Sequence, residues 1–273
     1  MSMQAENEPC FYREWRVDKP LAVLVIAHGL GEHSGRYAHV AGFFIQQGIA
    51  VAALDHRGHG QSPGQRGHIE DFSHYCDDLH ALIQLQRTHY PGVPVHLLGH
   101  SMGGLIATGY ALRHGTGIAS LMLSSPAYGV NGASNKLSLL VAPLLARLLP
   151  TTGLSNGLDA NAVSRDPVIV QAYLDDHLVH NQVTPSWARA FRREQRFIAK
   201  EIEQLSLPVL MMLAGADSLT DSARAQVLFE KIPAPEKHLK VYPEAFHELL
   251  NEPEQQQVLA TVLNWINDRV ERN

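Results

Sequence analysis

Residues 96–105 read H-L-L-G-H-S-M-G-G-L. An apolar run halts at Ser101, small residues flank the hydroxyl, and a helix-like stretch begins at once. Gly99-His100-Ser101-Met102-Gly103 is G-x-S-x-G between a strand pattern and a helix pattern. Glycines there let neighbouring backbone pack against a strained turn that thrusts the hydroxyl outward. The helix N-terminus beneath it offers partial positive charge to a developing anion. The chemistry this suits is acyl transfer, which needs a base for the hydroxyl proton, an acid to orient the base, and N–H donors for an oxyanion.

On such an elbow the partners follow in the order Ser, Asp or Glu, His. Five histidines lie after Ser101: His114, His177, His180, His238 and His247. The acid is expected where a later strand closes. P-V-L-M-M-L-A-G-A-D is such an edge and ends on Asp217. Asp221, four residues on, starts the next helix and reads as a first-turn carboxylate. The base must follow the acid. His238 sits in K-H-L-K-V-Y, an alternating strand, whereas His247 sits in P-E-A-F-H-E-L-L-N-E-P, a loop before the last helix. A loop position can bring an imidazole to Ser101 while Asp217 holds its other nitrogen, so His247 is favoured. For the oxyanion, one donor is the Met102 N–H, directly after the nucleophile. H-G-L-G-E (28–32) nominates the Leu30 N–H as the second; taken alone, His28-Gly29 reads as an ordinary strand-ending turn.

These residues need a scaffold that gathers them. Leu21–Ala27, Ile49–Leu54, Val95–Leu98, Ser120–Leu123 and Val209–Leu213 are short continuous apolar runs, as expected of strands covered on both faces. Helical spacing fills the gaps over roughly Tyr37–Gln47, Phe72–Tyr90, Met102–His114, Ala223–Lys231 and Gln255–Val270. Phe11–Val17 alternates and suits an antiparallel edge. The alternation of strand and helix predicts an α/β fold with a mostly parallel central sheet and helices on both faces. The rhythm breaks at about Tyr128 and resumes at about Leu207, with no convincing strand between. The expected division is therefore core (1–127), a helical cap or lid insertion (128–206) over the carboxyl edge of the sheet, and core again (207–273).

Bulk properties narrow the function classes. Of 273 residues, 45% are apolar and 18% charged, which suits a globular chain with a sizeable core. The net charge of −5 and the absence of a basic stripe argue against a nucleic-acid partner. Cys10 and Cys76 are too few for a disulfide framework and read as free thiols in a reducing cytoplasm. The polar, acidic start does not resemble a signal peptide, and the Leu137–Leu149 stretch, broken by Pro143 and Arg147, is shorter than the ~20 residues of a membrane span. A cytoplasmic location is expected. His56 and His59 have ligand-like spacing, but they lie in a Gly-rich loop without a third ligand, so neither metal nor other cofactor is expected.

The motifs H-G-L-G-E-H-S-G-R-Y (28–37), D-H-R-G-H-G-Q-S (55–62), Y-P-G-V-P-V-H-L-L-G-H-S-M-G-G (90–104) and A-G-A-D-S-L-T-D (214–221) resemble those of the α/β-hydrolase superfamily, and within it the monoacylglycerol lipase and lysophospholipase group. The resemblance covers about 20–126 and 207–255. It implies an α/β-hydrolase fold with Ser101 as nucleophile, Asp217 and His247 as its partners, and the Leu30 and Met102 amides as oxyanion hole. It further implies that Glu32 and Arg36 organise the polar end of the substrate site; by charge alone they read equally as surface residues or a local ion pair. The chain departs from the group at Leu250, where animal members carry a second histidine that contributes to the glycerol-binding end. The insertion aligns only loosely.

Within the insertion, Leu137, Leu140, Val141, Leu144, Leu145 and Leu148 recur at helical spacing. One reading is a cap helix that buries this face on the domain. The other is a lid, with Leu140 and Leu144 against the acyl chain and in transient contact with a membrane or micelle surface. The expected function is a serine carboxylester hydrolase acting through an acyl-enzyme on a small lipid ester, either a monoacylglycerol or a lysophospholipid. An acyltransferase or thioesterase with the same triad, and a non-catalytic hydrolase-like binding protein, are the alternatives.

Overall fold

The computed structural model describes residues 9–115, 117–131 and 144–270. In chain order these form β1 (Tyr12–Trp15), β2 (Ala22–Ala27), α1 (Ala38–Gln46), β3 (Ile49–Leu54), α2 (Ser73–His89), β4 (Val95–His100), α3 (Met102–His114) and β5 (Ser120–Ser124). There follow β6 (Leu154–Ser155), α4 (Pro167–Asp175), β7 (Gln182–Val183), α5 (Pro185–Glu201), β8 (Val209–Ala214), α6 (Ser222–Lys231), β9 (Lys237–Tyr242) and α7 (Gln255–Val270). Seven of the strands form one sheet in the order β1-β3-β2-β4-β5-β8-β9. Only β1, paired antiparallel with β3, departs from the parallel arrangement.

The continuous apolar runs are explained by burial on both faces. Every residue of β2, β3, β4 and β8 is buried, and alternate residues of one strand serve opposite layers. Val23, Val25 and Ala27 of β2 join Leu97 and the inner faces of α2, α3 and α5. Ala22, Leu24 and Ile26 join Leu98, α1 and α7. On α7, Val258, Leu259, Val262 and Ile266 are all buried in this second layer. At roughly 1.5–3 kcal/mol for each such side chain, that helix firmly anchors the loop that precedes it.

The connections position the site. The chain passes from β2 to β3 on one side and then returns to β4 on the other, so β2 and β4 lie side by side in parallel, with Ala27 opposite Gly99. In open α/β sheets ligands bind at the carboxyl ends of strands at such a switch point. H-G-L-G-E follows β2 there, and G-H-S-M-G closes β4.

Between β5 and β8 the chain leaves the sheet. Contrary to the expectation of no strand in this segment, β6 and β7 pair as a two-residue antiparallel ribbon, Leu154 with Val183 and Ser155 with Gln182. Two residues are too few to show a periodicity. The charged pattern of α5 covers an apolar stripe: Trp187, Phe191 and Ile198 enter the layer packed on α3, and buried Glu194 receives two hydrogen bonds from Arg113, of 2.6 and 2.7 Å. Thr184 caps α5, accepting the Trp187 N–H at 3.2 Å, with Pro185 in its first turn. Among the described residues, no helix is long and apolar enough to cross a membrane.

Candidate active site

Ser101 is one of three non-glycine residues with positive φ (φ 53°, ψ −119°) among those described. A backbone so placed costs on the order of 1–3 kcal/mol and persists only where its surroundings over-determine it. Here they do. The Ser101 N–H donates to the Ser124 carbonyl (3.0 Å), and the Ser101 carbonyl accepts from Gly104 (3.0 Å), Leu105 (3.2 Å) and Ala127 (3.0 Å). A Cβ on Gly103 would overlap the Ala27 carbonyl oxygen, and one on Gly99 would overlap the Gly103 carbonyl. The first turn of α3 therefore sits directly against the ends of β2 and β4, which is why glycine flanks the hydroxyl on both sides.

Asp217 follows β8, and His247 follows β9. His247 Nδ1 donates to Asp217 Oδ2 at 2.7 Å, which leaves Nε2 as the basic nitrogen. Both side chains are buried. Asp217 is held by more than the imidazole: Oδ1 accepts the Leu219 and Thr220 N–H groups (2.8 and 2.9 Å), and Oδ2 accepts the Thr220 hydroxyl (2.7 Å). Burial alone would raise the pKa of this carboxyl. His247 and the Thr220 donors more than offset that and bring its pKa down to about 2. Burial likewise disfavours the imidazolium of His247, but Asp217, Glu248 and Glu32 outweigh it and raise the His247 pKa above 6.5. Asp221 instead caps α6, its Oδ1 accepting the Arg224 N–H at 2.9 Å. His238 is exposed on β9.

Ser101, His247, Leu30 and Met102 line one cavity. Met102 opens α3, where the first N–H groups of a helix have no intrahelical acceptor. The loop carrying Leu30 is pinned on either side: Gly29 N–H donates to Glu32 Oε1 (2.5 Å), and His28 donates through Nδ1 to the Gly29 carbonyl (2.7 Å) while its Nε2 accepts the His56 N–H (2.9 Å). Leu145, Val163, Trp187, Phe191 and Leu219 are among the apolar side chains that line the cavity. Glu32, Glu248, Tyr173 and Asn156 make it polar elsewhere. Such a cavity suits a ligand with an apolar body and a polar head.

Glu32 and Arg36 meet in a buried network. Arg36 donates to Glu32 Oε2 (2.8 Å) and, through both terminal nitrogens, to Glu248 (2.7 Å each). Its guanidinium lies over the Tyr173 ring, 4.8 Å from the centroid. The Tyr37 hydroxyl also donates to Glu32 (2.8 Å). Burial pushes the Glu32 carboxyl up, but Arg36 and the nearby imidazoles pull it down to about 2. Glu32 lines the cavity, whereas Arg36 stands behind it. Leu250 is buried among the α1 and α7 side chains.

Leu140 lies outside the described residues. Residues 144–148 are helical, and adjacent positions on a helix point about 100° apart. Leu145 accordingly lines the cavity, while Leu144 and Leu148 project outward, 65% and 68% exposed. His56 and His59 belong to a buried imidazole cluster with His28 and His180: the ring centroids are 4.3 Å apart for His28–His56 and 4.8 Å for His59–His180. Among the described residues no group of three or more His, Cys, Asp or Glu side chains is arranged to hold a metal ion. Sequence patterning does not single out Glu248, Tyr173 or Asn156. Glu248 adjoins His247 in the quoted loop, and that adjacency is the one signal available; the other two lie in the insertion, which carries no motif.

The family model Hydrolase_4, described as serine aminopeptidase S33, matches residues 18–254. The chain belongs to this family. A monoacylglycerol lipase of Mycolicibacterium smegmatis is 40% identical over 257 residues, 93% of this chain and 91% of that protein. A Bacillus subtilis phospholipase is 33% identical, covering 89% of this chain and 94% of its own length. The crystal structure of the Paleococcus ferrophilus monoacylglycerol lipase superposes with a TM-score of 0.88 at 30% identity, over 97% of this chain and all of that one. The Hydrolase_4 chain described here thus has the α/β-hydrolase fold.

Proposed function

We propose that the chain is a serine carboxylester hydrolase that cleaves single-chain lipid esters, monoacylglycerols or lysophospholipids, through an acyl-enzyme. The observation that carries this is the 2.7 Å bond from His247 to a buried Asp217 carboxylate, beside a cavity that the strained Ser101 also lines. Ser101 Oγ attacks the ester carbonyl as His247 Nε2 takes its proton. Asp217 keeps the imidazole in the tautomer that leaves Nε2 basic and stabilises the imidazolium. The Leu30 and Met102 amides accept the oxyanion as hydrogen-bond donors, an effect that typically contributes about 2.7–4 kcal/mol per donor. His247 returns the proton to the leaving alcohol, and water then repeats the sequence on the acyl-enzyme. The similarity to monoacylglycerol lipases supports the substrate class, and the apolar lining residues support a fatty acyl chain.

The proposal includes residues 128–206 as a cap over the cavity, with 1–127 and 207–273 as the core. Leu145 and Trp187 of this segment line the site, while Leu144, Leu148 and Leu149 face outward and would touch a membrane or micelle surface. It also includes a cytoplasmic location, supported by the unbridged Cys10 and Cys76. The test is labelling by a fluorophosphonate probe, abolished in Ser101→Ala, followed by a rate profile across p-nitrophenyl esters, monoacylglycerols, triacylglycerols and lysophosphatidylcholine. A folded wild-type chain that never labels overturns the reading. Acyl transfer to added alcohols or thiols in preference to water would favour a transferase.

A further inference from the structure

The Asp217 carboxylate accepts four hydrogen bonds, and Thr220 gives two of them. The Thr220 N–H donates to Oδ1 (2.9 Å) and its hydroxyl to Oδ2 (2.7 Å). Leu219 N–H takes the other place on Oδ1 (2.8 Å), and His247 Nδ1 takes the other place on Oδ2 (2.7 Å). A carboxylate offers about four lone-pair sites, so all are filled and the imidazole holds one. The hydroxyl has no choice of direction: an ionised carboxylate only accepts, so the O–H proton must point at Oδ2. The backbone of Thr220 is fixed independently of that bond. Its carbonyl accepts Asn131 Nδ2 at 2.7 Å, and the same amide donates to the Asp217 carbonyl at 3.2 Å. Thr220 also pairs with Val130 in an antiparallel bridge, and Asn131 N–H donates to the Leu219 carbonyl at 3.0 Å. The chain that leaves the sheet after β5 thus braces the loop that carries the acid.

Resting on the ester-hydrolase reading above, we infer that Thr220 is a positioning residue for the reaction: its hydroxyl fills one lone pair of Asp217 Oδ2 and so aims the other at His247. Two consequences follow from the geometry. A carboxylate held on both oxygens does not rotate, so the imidazole bonded to it keeps one orientation in the cavity. The hydroxyl also shares the negative charge of the oxygen that faces the imidazolium. Without it, Oδ2 turns more of that charge on His247 and holds the imidazolium more tightly. The other charged and titratable groups around His247 are Glu248, Glu32, His100 and Arg36. None of them is bonded to Thr220 among the described residues, so a change at Thr220 reaches His247 through Asp217.

The test uses the full chain with a soluble short-chain p-nitrophenyl ester. Thr220→Val keeps the shape of the side chain and loses the hydroxyl. It should lower kcat about tenfold while KM stays within about twofold of wild type. The acid limb of its kcat/KM profile should move to higher pH, because the imidazolium then meets a carboxylate oxygen with one donor fewer. Thr220→Ser restores the donor and should bring both the rate and the limb back toward wild type. Thr220→Ala carries the test if the valine variant does not fold. Three results would each overturn the inference: a folded valine or alanine variant with kcat/KM within about twofold of wild type, an acid limb that stays in place or moves to lower pH, or a serine variant as impaired as the valine one. Each leaves the hydrolase reading standing so long as the wild type labels with fluorophosphonate. A wild type that never labels overturns both.

Discussion

Arg36 and Glu248, 212 positions apart in the chain, are joined by two hydrogen bonds of 2.7 Å each. The pair links the loop after β2 to the loop after β9, so the residues beside the proposed oxyanion donors and beside the proposed base are set relative to each other by one guanidinium. Arg36 also neutralises Glu32. Removing it would leave two buried carboxylates facing each other without a cation.

Arg36→Ala should accordingly destabilise the fold by about 3–5 kcal/mol, the usual penalty for breaking a buried ion pair from one side. Arg36→Lys should recover only part of this, because an ammonium cannot reproduce the bidentate fork. Urea unfolding of the three proteins measures both; a lysine variant as stable as wild type would show that charge alone suffices.

The pH dependence of the reaction follows from His247, whose folded pKa lies above 6.5. The imidazole must be neutral to accept the Ser101 proton, so kcat/KM should fall as pH drops through that value. Asp217→Asn removes the carboxylate that raises it. The acid limb should then move to lower pH while the rate drops by on the order of 10⁴. A limb that stays in place in the asparagine variant would mean that Asp217 does not set the His247 titration. For Asp217 itself the folded pKa, about 2, is depressed from 3.8. Its contribution to stability is present above 3.8 and is lost as pH falls from there toward 2.

Acid should also loosen the fold in a higher range. Burial holds His28, His56 and His59 below 6.5, and His96, His100 and His180 are also lowered, each to about 4. Below 6.5 the unfolded chain takes up protons that these native imidazoles refuse, so stability should decline as pH falls from 6.5 toward 4. Melting temperatures measured across that interval check this, and a flat profile would contradict it.

Leu144→Glu and Leu148→Glu alter exposed side chains and should change stability by no more than about 0.5 kcal/mol. Turnover of long-chain esters in micelles should nevertheless fall more than turnover of soluble short-chain esters. Equal loss on both substrates would dismiss the surface-contact role of this face.

Much of the architecture is legible in the chain because central strands must be apolar on both faces and the serine turn must be flanked by glycine. The fold class and the boundaries of α3 and α7 follow from that local patterning. Asp217 is marked by its place just past an all-apolar strand, and Asp221 by its place at the start of a helix. What escapes is long-range or short in extent. No local pattern couples Arg36 to Glu248, the β6–β7 ribbon is too brief to alternate, and Tyr173 sits in a segment that carries no motif to mark it as lining the cavity. The leucine spacing at 137–148 marks an apolar face but not which of Leu144 and Leu145 turns toward the cavity; the path of the chain over the sheet decides that.

The order of strands in the sheet has a consequence for synthesis. On the roles proposed here, the nucleophile and the oxyanion amides hang from β2 and β4, while acid and base hang from β8 and β9, the latter at the edge of the sheet. A nascent chain that has left the ribosome only as far as α6 already carries the serine turn and Asp217, yet has no imidazole to activate it. On those roles the triad is complete only when β9 and the loop that carries His247 have joined the sheet.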